Sequence, residues 1–180
     1  MLIRILFFLL ETLFFLLIGA ALLRGWMNWT RTNMRAQPGS FVMALTDWIV
    51  KPLRRAMPAQ LGKSRVDWAS LLAAALLALL YAVILALLTG LLSGLGAVLP
   101  LLGFALKMLI RVALQAMMIL VFGFAILSWV QPGSPAYSLL GRLTEPLLAP
   151  LRRVIPSIGG VDLSALVLIL ILQIGLMVLT

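Results

Sequence analysis

Among its 180 residues the chain has no cysteine and no histidine. Without cysteine there is no disulfide, no thiolate nucleophile and no sulfur-ligated metal. Without histidine the commonest general base and metal ligand is missing too. Charge is scarce as well. Asp, Glu, Lys and Arg together make up 11% of the chain, whereas a soluble domain carries about a quarter. The five acids are scattered, which offers no carboxylate pair for acid–base chemistry and no cluster for a cation. The expectation is a protein with no catalytic residues, no metal and no cofactor.

The rest of the chain is apolar: 64% of the residues are hydrophobic, and the mean hydropathy is +1.19. Too little polar surface exists to coat a soluble fold, so lipid is the expected solvent. The net charge of +9 would suggest nucleic acid in a soluble chain. Here the basic residues fall between apolar runs, the pattern by which cytoplasmic loops are marked, so no nucleic-acid partner is expected.

A hydrocarbon core about 30 Å thick needs about 20 apolar residues in a helix. Four segments approach that length: 5–23, 69–88, 108–130 and 163–180. The first follows Arg4 like a secretory signal, but it is long for a signal core. Glu11 interrupts it and no small-residue cleavage site follows, so it reads as an uncleaved span. The loop after it carries Arg24, Arg31, Arg35, Lys51, Arg54, Arg55, Lys63 and Arg65, and a second loop carries Arg142, Arg152 and Arg153. Residues 89–106 carry no charge. This bias puts both basic loops in the cytoplasm and both chain ends outside. Trp26, Trp29, Trp48, Trp68 and Trp129 near the span ends fit an interfacial belt. Gly62-Lys63-Ser64 ends like a phosphate-binding loop, but Met57 stands where its first glycine belongs.

The chain repeats itself. The run Leu45-Thr46-Asp47 through Pro52-Leu53-Arg54-Arg55 to Pro58 matches Leu143-Thr144-Glu145 through Pro150-Leu151-Arg152-Arg153 to Pro156. Gln37-Pro38-Gly39-Ser40 echoes Gln131-Pro132-Gly133-Ser134, and Asp67 and Asp162 each open the following span. Residues 1–90 read as a first repeat, 91–106 as a Gly/Pro-containing apolar connection, and 107–180 as a second repeat. Each repeat holds two spans, so the two share an orientation. The expected fold is all-α: four transmembrane helices in two parallel hairpin repeats, joined by amphipathic Pro/Arg-rich interfacial helices. Thr144-Glu145-Pro146 reads as the start of such a helix, with Pro150 kinking or ending it.

Ser128-Trp129, Pro132, Leu143-Thr144-Glu145-Pro146, Pro150-Leu151-Arg152-Arg153, Ile155-Pro156 and Gly160-Val161-Asp162-Leu163-Ser164 resemble the YggT/YlmG family of small bacterial and plastid membrane proteins. The second repeat fits closely; the first departs from it at Asp47, Trp48 and Lys51. Two units over the whole chain look like the two-repeat bacterial form. The resemblance implies a multi-pass protein of the bacterial inner membrane. It also implies a link to membrane organisation, assembly of membrane complexes, or osmotic tolerance.

Three residue sets are candidates for function. Arg54, Arg55, Thr144, Glu145, Pro150, Arg152, Arg153 and Pro156 belong to the repeated loop motif and would meet anionic headgroups or partner proteins. Ser70, Ala74, Ala78, Ala82, Ala86, Gly90 and Gly94 recur every fourth residue, a spacing that lets helix backbones approach closely. Such a stripe serves the packing of the hairpin or a contact with another integral membrane protein, and it leaves room for a homo-oligomer. Glu11 is the acid deepest in a span. With the first and third spans in register, Arg111 lies one turn from it, with Gln115 next along. Asp67 and Asp162 read as helix caps. The leading function is non-enzymatic organisation or assembly of membrane complexes. The competing one is a small channel or transporter component in ion or osmotic balance.

Overall fold

Where the side chains carry few polar groups, the backbone has only itself to bond with, and in lipid that leaves helices. The computed structural model describes residues 1–35, 37–58, 66–90, 98–155 and 163–179, and among them there are helices and no strand. They are α1 (Leu2–Trp29), α2 (Gly39–Ala56), α3 (Trp68–Thr89), α4 (Val98–Val130), α5 (Pro135–Arg152) and α6 (Leu163–Leu179). Three of them, α1, α3 and α4, are long and apolar enough to cross a membrane. The fourth expected span, α6, has 17 residues, about 25 Å at 1.5 Å per residue, the short end of what crosses hydrocarbon.

Several helix limits differ from the expected ones for identifiable reasons. α4 starts at Val98, well before Met108, because the expected connection is helical from Val98 onward. Pro100 lies in its first turn, where the missing N–H would have found no partner. α5 starts at Pro135 and not near Thr144. The Ser134 hydroxyl accepts from Tyr137 N at 3.1 Å and Pro135 fills the first turn, an earlier and complete start signal. Pro150 does not stop α5, which runs on to Arg152. Gly94, Pro156 and Asp162 lie outside the described residues.

The chain forms two compact units, Met1–Val112 and Ala113–Thr180. In the first, α2 packs on both α1 and α3, and α1 packs along α3. Its core joins Phe14, Ile18 and Ala21 of α1 with Ala73, Leu77 and Tyr81 of α3 and with Met108 and Val112 from the start of α4. The small-residue stripe is what allows this. Ser70, Ala74, Ala78, Ala82 and Ala86 are all buried, and a methyl built on Gly25 of α1 would meet the Ser70 side chain at 3.6 Å. The stripe is therefore covered inside the unit and is not an outward docking face. Gly90 does not belong to the packing; it is exposed and caps α3 in the left-handed conformation, φ 70°. Gly39 is required where α2 begins, since a Cβ there would come within 2.7 Å of the Met34 backbone.

In the second unit α5 packs on α6. The core is Val121 and Phe124 of α4, Leu148 of α5, and Ala165, Leu168 and Leu172 of α6. Gly123 keeps α4 close to α5, with Leu140 Cδ1 3.2 Å from where its Cβ would stand.

The burial of the stripe predicts that Ala78→Leu, which forces extra methylenes into a contact with 1% exposure, destabilises the protein by about 1–3 kcal/mol. Thermal unfolding in detergent checks this. An unchanged melting temperature would mean that α3 does not pack as described.

Candidate functional site

The repeated loop motif folds as two amphipathic helices of 18 residues each. In α2, Val42, Thr46 and Val50 face inward at four-residue spacing, while Phe41, Trp48, Lys51, Arg54 and Arg55 are exposed. In α5, Leu143, Thr144 and Leu148 are buried, and Arg142, Glu145, Pro150, Arg152 and Arg153 are exposed. Leu140, Leu147 and Leu151 flank the buried set and are half-buried.

In the first unit this helix is held by charge. Arg24, near the end of α1, is buried, and its Nη1 donates to Thr46 Oγ1 at 2.8 Å and to Asp47 Oδ1 at 2.9 Å. The Thr46 hydroxyl donates in turn to the Val42 carbonyl at 2.7 Å. Lys51, one turn on, reaches Asp47 Oδ2 at 2.6 Å. The Lys51 bond, with help from Arg24, holds the Asp47 carboxyl below its ordinary range, against the opposing effect of burial. Further along, Arg54 Nη2 meets Asp67 Oδ2 at 2.7 Å. Asp67 caps α3 by accepting from Ser70 N at 3.4 Å and from the Ser70 hydroxyl at 2.9 Å. One carboxylate thus ends a helix and ties α2 to it.

The second unit uses the motif differently. Thr144 is buried and donates to the Leu140 carbonyl at 2.8 Å. It is an interior residue that bonds back along its own helix, not the cap its sequence context suggests. Glu145 pairs with Arg152 at 2.7 Å within α5. The Arg152 guanidinium lies 5.8 Å from the centre of the Phe124 ring, which also stacks on Tyr137 at 5.1 Å. Arg153 and Pro150 lie on the exposed surface.

Within the membrane-length helices, Glu11 and Arg111 come together: Arg111 Nη1 is 3.8 Å from Glu11 Oε1. Gln115 lies one turn further along α4, half-buried. Among the described residues each of Glu11, Asp47, Asp67 and Glu145 therefore has an Arg or Lys within ion-pair distance. No group of three His, Cys, Asp or Glu that could hold a metal occurs among the described residues.

Arg24 and Thr46 do not stand out in the sequence as site residues. A signal for Arg24 exists nonetheless. With Trp26 aligned to Trp129, the position matching Arg24 in the second repeat is Leu127. The arginine occurs only in the repeat that has Asp47 and Lys51.

A family model described as CCB3/YggT matches residues 3–88 and 103–180. The uncharacterized protein YggT of Escherichia coli strain K12 is 36% identical over 93% of this chain and 85% of its own length. An uncharacterized protein from the proC 3' region of Vibrio alginolyticus is 38% identical over 92% of this chain and 88% of its own. The uncharacterized protein PA0392 of Pseudomonas aeruginosa is 37% identical over 92% and 83%. No solved structure matches.

Removing the Asp47 charge leaves the Arg24 guanidinium buried with the Thr46 hydroxyl as its acceptor. Asp47→Asn is expected to lower stability by about 1–3 kcal/mol, a range discounted for the partial exposure of Asp47. Because the folded carboxyl titrates below its ordinary value near about 4, its contribution is complete above that pH. It is lost as pH falls through the lower folded value. Melting curves between neutral pH and pH ~3 should show this acid loss in the wild type and a smaller one in Asp47→Asn. Equal acid sensitivity would remove Asp47 from the account.

Proposed function

We propose for this chain, which belongs to the CCB3/YggT family, a non-enzymatic role in the inner membrane: organising other membrane proteins or assisting assembly of their complexes. The observation that carries this reading is the outward face of the two amphipathic helices. Phe41 and Trp48 are exposed on α2, the helix that also exposes Lys51, Arg54 and Arg55, and Arg152 and Arg153 are exposed at the end of α5. Large apolar side chains next to cations are the composition of a helix lying in a headgroup layer. Near an anionic surface each Lys or Arg contributes about 1 kcal/mol of attraction.

In this reading α6 makes the fourth crossing. The two repeats insert as parallel hairpins with both chain ends outside, and α2 and α5 lie along the cytoplasmic surface. Anionic headgroups hold them there, and the same exposed surface meets partner proteins. The small-residue stripe of α3 has an internal role only, since it is buried. A conduction role has less support, because the packed clusters of both units are apolar and the buried Arg24 is paired with Asp47, whereas a pathway needs water or ion-coordinating groups along it.

Affinity purification in a mild detergent tests the proposal. A defined set of membrane proteins should co-purify with the wild type and be lost from Arg152→Gln/Arg153→Gln, while that variant keeps its melting temperature. Recovery of the same set from both proteins would overturn the role of this face. Ion flux in liposomes that Glu11→Gln abolishes would replace assembly with transport.

A further inference from the structure

In the second unit α4 and α6 do not close fully on each other. An apolar groove of about 200 Å³ runs between them, lined by Phe122, Phe124, Ser128 and Trp129 of α4 and by Ala165 and Ile169 of α6. Phe122 and Trp129 are exposed, so the groove opens on the outer surface of the unit. α4 ends at Val130 and α6 begins at Leu163. The groove therefore lies at the loop end of both helices, along about 10 Å of α4 from Phe122 to Trp129. The Ser128 hydroxyl donates to the Ala125 carbonyl at 2.6 Å, which leaves the Trp129 indole N–H as the other polar side-chain group of the lining. Water needs about two to four polar partners to stay in such a space, whereas an apolar cavity of about 150 Å³ takes a benzene ring. Hydrocarbon is the better filling. The groove is smaller than the roughly 300–1,000 Å³ of a pocket for a drug-sized molecule, and a helix about 10 Å across has no room in it.

We propose that the groove holds one acyl chain of an anionic phospholipid whose phosphate is bound at the end of α5. This rests on the proposed reading in which α6 makes the fourth crossing and α5 lies along the cytoplasmic surface. The groove then opens to lipid just beneath the headgroups, the level at which an indole such as Trp129 settles. Charge selects the lipid. The Arg152 guanidinium is 5.8 Å from the centre of the Phe124 ring, and that ring lines the groove. Arg152 is itself paired with Glu145, so it marks the place of the phosphate without supplying all of the charge. Arg153, beside it in the chain, is exposed and has no carboxylate within ion-pair distance among the described residues. Over residues 113–180, Arg142, Arg152 and Arg153 stand against Glu145 and Asp162, which leaves one positive charge. A singly anionic headgroup offsets it and a zwitterionic one does not. The acyl chain gains no hydrophobic energy by leaving other lipid tails, since these are as apolar as the groove. What it gains is contact with walls that a void would leave bare. The groove thus provides residence and the cation provides preference.

The two contributions are separable in the full chain held in mild detergent. It is titrated with a phosphatidylglycerol and, separately, with a phosphatidylethanolamine of the same acyl chains, and bound lipid is counted by native mass spectrometry. One phosphatidylglycerol per chain is expected, bound about fivefold more tightly than phosphatidylethanolamine, the effect of one cation at an anionic surface. Arg153→Gln should abolish that preference. Ser128→Leu, which fills the groove, should lower retention of both lipids alike. Ala125→Leu repeats the block from a second position, and unchanged helicity and melting temperature separate loss of the site from loss of the fold. Ile174, exposed on α6 away from the groove, tests the membrane placement by itself. As the single cysteine of the variant Ile174→Cys it should resist a water-soluble maleimide in native membranes. Labelling there overturns the crossing and the lipid site together. With Ile174 protected, the lipid site alone is overturned by equal binding of the two lipids or by a preference that survives Arg153→Gln. It is equally overturned by retention indifferent to both groove variants, by displacement with inorganic phosphate, or by a second protein chain bound in place of lipid.

Discussion

A guanidinium buried at the end of an apolar helix must find its acceptors within the protein, and the first unit is organised around that need. Arg24 is covered by α2, and the acceptors that satisfy it, Thr46 Oγ1 and Asp47 Oδ1, are both on that helix. The same contact therefore neutralises a buried charge and fixes where α2 crosses α1. Arg54 does the reverse at the other end of α2, donating to the Asp67 that caps α3. Three helices with few polar groups are tied by two arginine–carboxylate links. The apolar contacts between α1 and α3 then close around them, through side chains small enough to let the backbones approach.

The two units show what happens to a repeated motif when one partner changes. Thr46 and Thr144 occupy the same place in the frame and both are buried, each bonding a carbonyl four residues back. Only Thr46 also receives an arginine. In the second unit the matching acid, Glu145, lies on the surface and pairs along its own helix with Arg152. Packing of α5 then rests on Leu143, Leu148 and the stacked Phe124 and Tyr137. The motif keeps its shape because its buried face is apolar apart from one self-satisfied hydroxyl. Its charges are free to serve docking in one unit and surface chemistry in the other.

Much of this was legible in the sequence, because it depends on local features. The apolar lengths of α1 and α3, the four-residue stripe and the Asp67 cap all follow from spacing and propensity. Glu11 and Arg111 meet, yet Val112 packs against Gly19, where aligning the two repeats would set Phe122. What was not legible depends on which surfaces meet. The stripe announces close packing but not the identity of its partner. Arg24 looks like one more loop cation until α2 is seen to fold back over it. Thr144-Glu145-Pro146 carries the residues of a helix start, yet Ser134-Pro135 begins the helix earlier. Once a helix is running, a threonine inside it simply bonds backwards.

The length of α4 has a consequence for the surrounding lipid. Its 33 residues extend about 50 Å. A bilayer with about 30 Å of hydrocarbon does not match it. Lipid around such a helix must let it tilt or protrude, or thicken beside it, at a cost of fractions of a kcal/mol for each ångström of hydrophobic mismatch. A chain that carries so long an apolar helix imposes its own thickness profile on the lipid near it. Neighbouring proteins with short or long spans would then be sorted toward it or away from it without any direct contact.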